Sequence, residues 1–333
     1  MQKENIPLLS IICTSYNHEK YIKECLDGFL IQQTNFLFEI IVHDDASTDD
    51  TAKIIREYEL KYPHLFNNIY QIENHFTKPD VNIWLDIVFP LARGKYIAIC
   101  EGDDYWTDPL KLQKQFDFLE ANLDFGLVYT DSLAYYQRTN ELNVLEKPKN
   151  KQDSFFKDLI FGSSNIYTLT VCFRREYLKG YVSEISPYSK GWLLGDLPLW
   201  LFIATKTKAH YIDEATTVYR VLEESASNTQ NLDKHLDFKK SVFQIKLFFL
   251  KKYYKQDLKT EKQITSIYLY EQLVWNILFK GNFRQFLTFL YQFYLENNNL
   301  KLFAGSFYQI LKKVKAQIIE GKSYFLSRIK LNS

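Results

Sequence analysis

Residues 96 to 106 read Tyr96-Ile97-Ala98-Ile99-Cys100-Glu101-Gly102-Asp103-Asp104-Tyr105-Trp106, an apolar run that passes directly into carboxylates. An uninterrupted apolar run of this length predicts an internal strand covered on both faces. The acids then fall at the strand's carboxyl end, where ligands gather in open α/β sheets. Neighbouring carboxylates repel one another unless a cation or a hydrogen-bond network relieves them. Oxygen donors of this kind suit Mg2+ or Mn2+, which keep several waters and take substrate phosphates as further ligands. For residues 101–106 alone, a solvated turn is the competing reading.

The same alternation extends on both sides of this stretch. Residues 8–13 and 38–42 read as buried strands, each followed by a polar loop and then apolar residues at helical spacing. The second of these helices spans 51–62 and stops before Pro63. A strand near Ile69, a helix over 81–91 and a helix start at Asp108-Pro109 follow, with strands at 125–133 and 168–173. Residues 137–153 read as a polar surface loop, 197–205 as a helix, and 209–212 and 216–221 as short strands. Strands and helices in this order imply an α/β domain with a mostly parallel central sheet and helices on both faces. From 232 onward only helical signals remain, so the expected organisation is a catalytic domain over 1–231 and a helical region over 232–333.

The formal net charge is only +1, which argues against a nucleic-acid partner. That balance hides an asymmetry: 18 Lys and Arg stand against 7 Asp and Glu from residue 232 on, and 23 against 33 before it. The basic tail carries segments such as Phe243-Gln244-Ile245-Lys246-Leu247-Phe248 and Lys312-Lys313-Val314-Lys315. It fits either a packed helical appendage or attachment to an anionic membrane surface. The four cysteines lack zinc or CxxC spacing and read as reduced core residues. With no signal-peptide pattern and no run of eighteen apolar residues, the expectation is a cytoplasmic chain, able at most to sit on the inner face of the membrane.

Two further clusters follow apolar segments. Asp44-Asp45-Ala46-Ser47-Thr48-Asp49 stands between a strand and a helix, where Ser47 and Asp50 have capping-box spacing. Gly195-Asp196-Leu197-Pro198 opens a helix, and there Asp196 reads either as an N-cap or as a general base for a hydroxyl proton. Tyr105, Trp106 and Trp192 are able to stack on a sugar ring, with core packing as the alternative. His18, His43 and His75 have no mutual spacing that suggests a metal cluster.

Taken together, these clusters make the chain resemble inverting glycosyltransferases of family 2, which have the GT-A fold. Ser10-Ile11-Ile12-Cys13-Thr14-Ser15-Tyr16-Asn17 is similar to that family's first strand, and Asp44-Asp45-Ala46-Ser47-Thr48 to its DDGST element. Arg93-Gly94-Lys95-Tyr96-Ile97 resembles the run into its metal strand, residues 101–104 its DxD-type motif, and Gly195-Asp196 its ED element. The resemblance covers residues 7–225. It implies nucleotide contacts from Thr14, Tyr16, Asn17, Asp44, Asp45, Arg93 and Asp103, a metal on Asp104 with Asp103, and Asp196 as the base. It adds possible pyrophosphate or sugar contacts from Arg220, Trp106 and Trp192.

Three positions depart from the pattern. Thr14 replaces a common proline, Ala46 the middle glycine, and Gly195 the acidic residue before the base. The implied reaction moves a sugar from a nucleotide-sugar donor, UDP-linked by resemblance, to a hydroxyl of a glycan or lipid-linked acceptor in bacterial surface-polysaccharide synthesis. The alternative is a nucleotide-sugar-binding protein without catalysis. A dehydrogenase is excluded by the lack of a GxGxxG fingerprint after the first strand.

Overall fold

The computed structural model describes residues 6–76, 78, 81–145, 155–162, 166–189, 191–222, 232–255 and 257–275. The chain divides into two compact units, Met1–Asn228 and Thr229–Ser333. In the second, helices span Leu232–Tyr253 and Leu258–Trp275, with Phe243 stacked on Tyr268 at 4.3 Å between ring centres. The basic segment at residues 312–315 lies outside the described residues. Among the described residues no helix is long and apolar enough to cross a membrane.

The first unit is built on one sheet. Strands β1 (Leu9–Ser15), β2 (Phe38–Asp44), β3 (Ile69–Tyr70) and β4 (Tyr96–Glu101) are mutually parallel, in the order β3-β2-β1-β4. Helices α1 (Ile22–Leu30), α2 (Thr51–Lys61) and α3 (Lys111–Ala121) accompany them. Alternation along the strands sorts the core. Leu9, Ile11, Cys13, Ile40, Val42, Ala98 and Cys100 share one cluster with Ile22, Phe29 and Leu112 of the helices. The residues between them, Ile12, Ile41, Ile97 and Ile99, are also fully buried and point to the opposite face. Burial of each such side chain stabilises by about 1.5–3 kcal/mol, which is why these strands carry no polar alternation.

Beyond β4 the sheet is mixed rather than parallel. Short β5 (Tyr105–Trp106), long β6 (Phe125–Tyr136), β7 (Glu141–Val144), β8 (Val171–Arg174) and β9 (Lys208–Val221) complete it as β4-β8-β6-β9-β5, with β7 on β6. Strands β8, β5 and β7 pair antiparallel, while β6 and β9 pair parallel. Strand β7 falls inside the expected loop 137–153, and the two short strands expected at 209–221 are one bulged strand. Helices α4 (Phe155–Phe161), α5 (Glu176–Glu184) and α6 (Asp196–Lys206) lie between strands of this half. The segment expected as a helix over 81–91 is a π-helical turn, Ile83–Val88, followed by a 3-10 turn, Phe89–Leu91. Asp108-Pro109 precedes rather than opens α3: the Asp108 carboxylate accepts from Leu110 N at 2.9 Å and the helix begins at Lys111.

Lys111 is fully buried, its Nζ 2.9 Å from Gln115 Oε1 and 4.2 Å from the centre of the Trp106 ring. Loss of hydration lowers its pKa to about 8. Because the unfolded lysine titrates near 10.4, the unfolded chain binds more protons between about pH 8 and 10. The buried charge therefore costs stability below pH 8, and the cost is relieved as the pH rises. Lys111→Met should raise stability by about 1–2 kcal/mol at pH 7, after the lost hydrogen bond is discounted, and by less at pH 9.5. Urea unfolding at the two pH values measures this; an equal effect at both would show that Lys111 titrates alike in the folded and unfolded chains, so that burial does not lower its pKa.

Candidate active site

The parallel register brings three strand ends together. Ser15 lies opposite Asp44, and Thr14 lies between His43 and Glu101. The crossing is tight at Gly102, whose N–H donates to Thr14 O at 2.9 Å. A Cβ on Gly102 would lie 2.9 Å from His18 Nδ1 and 3.0 Å from Ser15 Oγ, so a side chain there would push on both of these side chains.

The two loops that follow β1 and β2 are stapled to each other. Asn17, at φ 55°, donates its N–H to Ser47 Oγ at 2.9 Å and accepts from Thr48 N at 2.8 Å through Oδ1. Glu19 N donates to Asp49 Oδ2, and Asp50 N returns a bond to Glu19 Oε2, each at 3.1 Å. Asp49 Oδ1 also accepts from Thr51 N at 3.0 Å. These reciprocal bonds take the place of the expected Ser47–Asp50 capping box. Ala46 holds φ 62°, so the loop keeps its left-handed residue without glycine.

The sequence-predicted residues separate in this setting. Asp44 is buried; Ser47 N donates to its Oδ2 at 3.1 Å, while its Oδ1 has no partner. Thr14 is partly buried beside it and Tyr16 is exposed at 43%. Asp45 is also buried, with its two oxygens accepting from His75 N and Phe76 N at 2.9 Å, so it anchors the segment after β3. Asn17 is occupied as the staple described above.

Arg93 is not at this edge. Its Nε and N both donate to the Glu39 carboxylate at 2.8 Å, five residues and therefore about 17 Å along β2 from Asp44. Arg93, expected from the sequence to contact nucleotide, thus lies at the amino ends of the strands, apart from the edge that carries Asp44. Trp106 takes the core-packing alternative. It is 2% exposed, packs on Phe29 at 4.8 Å and donates Nε1–H to Leu169 O at 2.9 Å, so it belongs to the core and has no face for a sugar.

Glu101, Asp103 and Asp104 form an acidic turn that burial and mutual repulsion make unfavourable when fully ionised. Loss of hydration, then Asp103 and Asp196, push the Glu101 pKa to about 8. Loss of hydration, then Asp103 and Glu101, raise that of Asp104 well above the usual carboxylate range. Asp196 opens α6 as its first residue, with Gly195 rather than Asp196 in the cap position. Burial raises its pKa, and it in turn helps raise the phenol of buried Tyr181. The influence of Asp196 on Glu101 puts the start of α6 within electrostatic reach of the acidic turn. Trp192 is partly buried four residues earlier, its N–H donating to Ser189 O at 3.0 Å.

Sequence reasoning passed over two residues here. His18, given no role from spacing, has a buried Nδ1 without a partner, and its pKa is lowered by burial against the opposing pull of Asp103, Asp49 and Asp44. Ser15 Oγ is likewise buried and unpartnered. The signal available was position: Ser15 ends β1 and His18 lies in the loop that follows it. Trp84, in the π-helical turn, lies 3.8 Å from where a Cβ of Gly195 would stand, so an aromatic ring borders the position where an acid is usual.

The donor set fits a hard divalent ion. Among the described residues no three His, Cys, Asp or Glu side chains are arranged to hold a metal by themselves. Asp103 and Asp104 would therefore share an ion with phosphate and water oxygens, the mode Mg2+ favours.

Comparison with known proteins gives this arrangement its class. The family described as glycosyl transferase family 2 matches residues 10–180, and the chain belongs to that family. A Mycobacterium tuberculosis protein of uncharacterised function is 39% identical over 168 residues, 50% of this chain and 47% of that one. The chain thus spans about half the length of that relative. The Escherichia coli enzyme WfaP, named UDP-Glc:alpha-D-GlcNAc-diphosphoundecaprenol beta-1,3-glucosyltransferase, is 30% identical over 66% of this chain and 80% of its own. S. aureus TarS residues 1–349, solved with UDP-GlcNAc, superposes with a TM-score of 0.59 at 17% identity, covering 86% of this chain and 81% of that one. The fold is GT-A, with helices following it in the chain.

Proposed function

We propose that this protein transfers a sugar, with inversion, from a UDP-linked donor to a hydroxyl of a glycan or lipid-linked acceptor in the synthesis of a bacterial surface polysaccharide. The observation that carries the reading is the meeting of Asp44 and the Asp103–Asp104 turn at the carboxyl ends of β2 and β4, with Asp196 close enough to act on the Glu101 charge. The Asp44 Oδ1 without a partner offers an acceptor for a base N–H, and Ser15 Oγ and His18 Nδ1 offer further polar contacts beside it.

In the reaction, Asp196 takes the proton of the acceptor hydroxyl as its oxygen bonds to the anomeric carbon. The bond from that carbon to the donor's phosphate oxygen breaks, and the nucleoside diphosphate leaves with the electron pair. Mn2+ or Mg2+ held by Asp103 and Asp104 would supply Lewis-acid stabilisation of the leaving diphosphate. A raised pKa suits the base, since it brings the proton affinity of Asp196 closer to the working pH.

The reading predicts that UDP binds tightly only with Mn2+ present, and that GDP and dTDP bind at least about tenfold more weakly, a difference of about 1.4 kcal/mol. Calorimetric titration of each nucleotide with Mn2+ and with chelator tests it. Preference for GDP or dTDP would replace the carrier, and absence of nucleotide binding under every condition would end the transferase reading.

A further inference from the structure

Resting on the donor-site reading above, we infer that Arg220, held by Glu24, is a positioning residue that sets the Asp103–Asp104 turn for the cation and diphosphate, rather than a direct ligand of the pyrophosphate. The pairing of β5 with β9 explains its place. Tyr105 lies opposite Val218 and Trp106 opposite Thr217, so continuing the antiparallel register sets Asp103 opposite Arg220. Where a further ladder bond would form, the Arg220 N–H donates to the Asp104 carboxylate instead, at 2.7 Å. The side chain turns back over the same residues: Nη1 donates to Asp103 O at 2.7 Å, and Nη2 pairs with the Glu24 carboxylate.

The guanidinium is fixed on its faces as well as its edges. It lies 4.6 Å from the Tyr105 ring centre and 5.1 Å from that of Tyr21, and Arg220 is only 5% exposed. One residue thus engages both adjacent acids, the Asp104 carboxylate through its main-chain N–H and the Asp103 carbonyl through its guanidinium, and the charge opposes the repulsion that Glu101 and Asp103 exert on Asp104. Both of its terminal nitrogens are engaged, Nη1 by the Asp103 carbonyl and Nη2 by the Glu24 carboxylate. Glu24 reaches the turn from α1 and is 54% exposed, so it acts on the site only through Arg220. A lysine could carry the charge but could not bond both partners through a planar fork.

The test compares Glu24→Gln, Arg220→Lys and Arg220→Gln with the unaltered full chain in three measurements. These are UDP affinity with chelator, Mn2+ affinity at saturating UDP by electron paramagnetic resonance, and melting temperature. Glu24→Gln should leave metal-free UDP binding unchanged and weaken Mn2+ about tenfold, the lower end of the range over which partners of metal ligands act. Arg220→Gln should weaken Mn2+ further, with Arg220→Lys in between. If Arg220→Gln does not fold, Glu24→Gln carries the test. Variants with lowered melting temperature but unaltered Mn2+ affinity would overturn the positioning role. Loss of metal-free UDP binding in Glu24→Gln would overturn it too, since the site would then act on the nucleotide itself. Failure of the unaltered chain to bind UDP and Mn2+ would instead overturn the donor-site reading on which it rests.

Discussion

Asp196→Asn should lower turnover by about a thousandfold or more while leaving Mn2+-dependent UDP affinity within about twofold. A positioned general base contributes about 10²–10⁴ in rate, and a hydroxyl nucleophile depends on it heavily because its own acidity is negligible at neutral pH. Asn keeps the volume and a carbonyl acceptor but cannot take the proton. Donor binding should persist because Asp44 and the Asp103–Asp104 turn stand on other elements, β2 and the segment after β4. The two-part readout separates chemistry from binding: retained turnover would remove Asp196 from the role of base, and lost UDP affinity would move it into the donor site. The pH profile adds a third criterion. With a folded pKa raised by burial, the acidic limb of kcat should lie above the usual aspartate range and vanish with the residual activity of the variant.

The strand-loop-helix rhythm was legible in the first half of the chain because β1, β2 and β4 are buried on both faces and the loops after them are polar. Ile11-Ile12 and Ile40-Ile41 have no other physical use than an internal strand. The second half was less legible because its elements depend on partners remote in sequence. Strand β5 is two residues long and exists only through pairing with Thr217 and Val218, more than a hundred positions away. The polar segment 141–144 becomes a strand by pairing along the far end of β6, with every residue exposed. Neither has a local hydrophobic period to read.

The site divided in the same way. Asp44, Asp103, Asp104 and Asp196 follow apolar runs, and position together with the order of the motifs pointed to them. Arg93 follows a helical turn and precedes a strand, so the same logic, applied with direction, places it at the amino edge, where Glu39 holds it. Trp106 was offered to a sugar because it neighbours the acidic turn, yet in β5 it turns into the core while Tyr105 faces Arg220. Arg220 reads locally as a lone surface cation; its burial follows from a register that no single-strand pattern reveals.

The acidic turn gives the second large effect. Asp104→Asn should weaken Mn2+-dependent UDP binding by about a hundredfold, or about 2.7 kcal/mol, and leave the weaker metal-free binding unchanged. The amide oxygen can still accept the Arg220 N–H now bonded at 2.7 Å, so the turn keeps its shape while losing a negative ligand. The same substitution should raise the melting temperature of the metal-free protein. The sign follows from the titration: a carboxyl whose folded pKa lies above its unfolded value is a group whose ionised form the folded state disfavours. That cost is present at neutral pH and is relieved as the pH falls through the folded pKa. A neutral isostere removes it, gaining about 1 kcal/mol where repulsion from Asp103 and Glu101 is largest. A structural carboxylate would behave in the opposite way, with stability falling and binding falling with it. Calorimetry with and without Mn2+, paired with thermal unfolding in chelator, therefore distinguishes a residue kept for an ion from one kept for the fold.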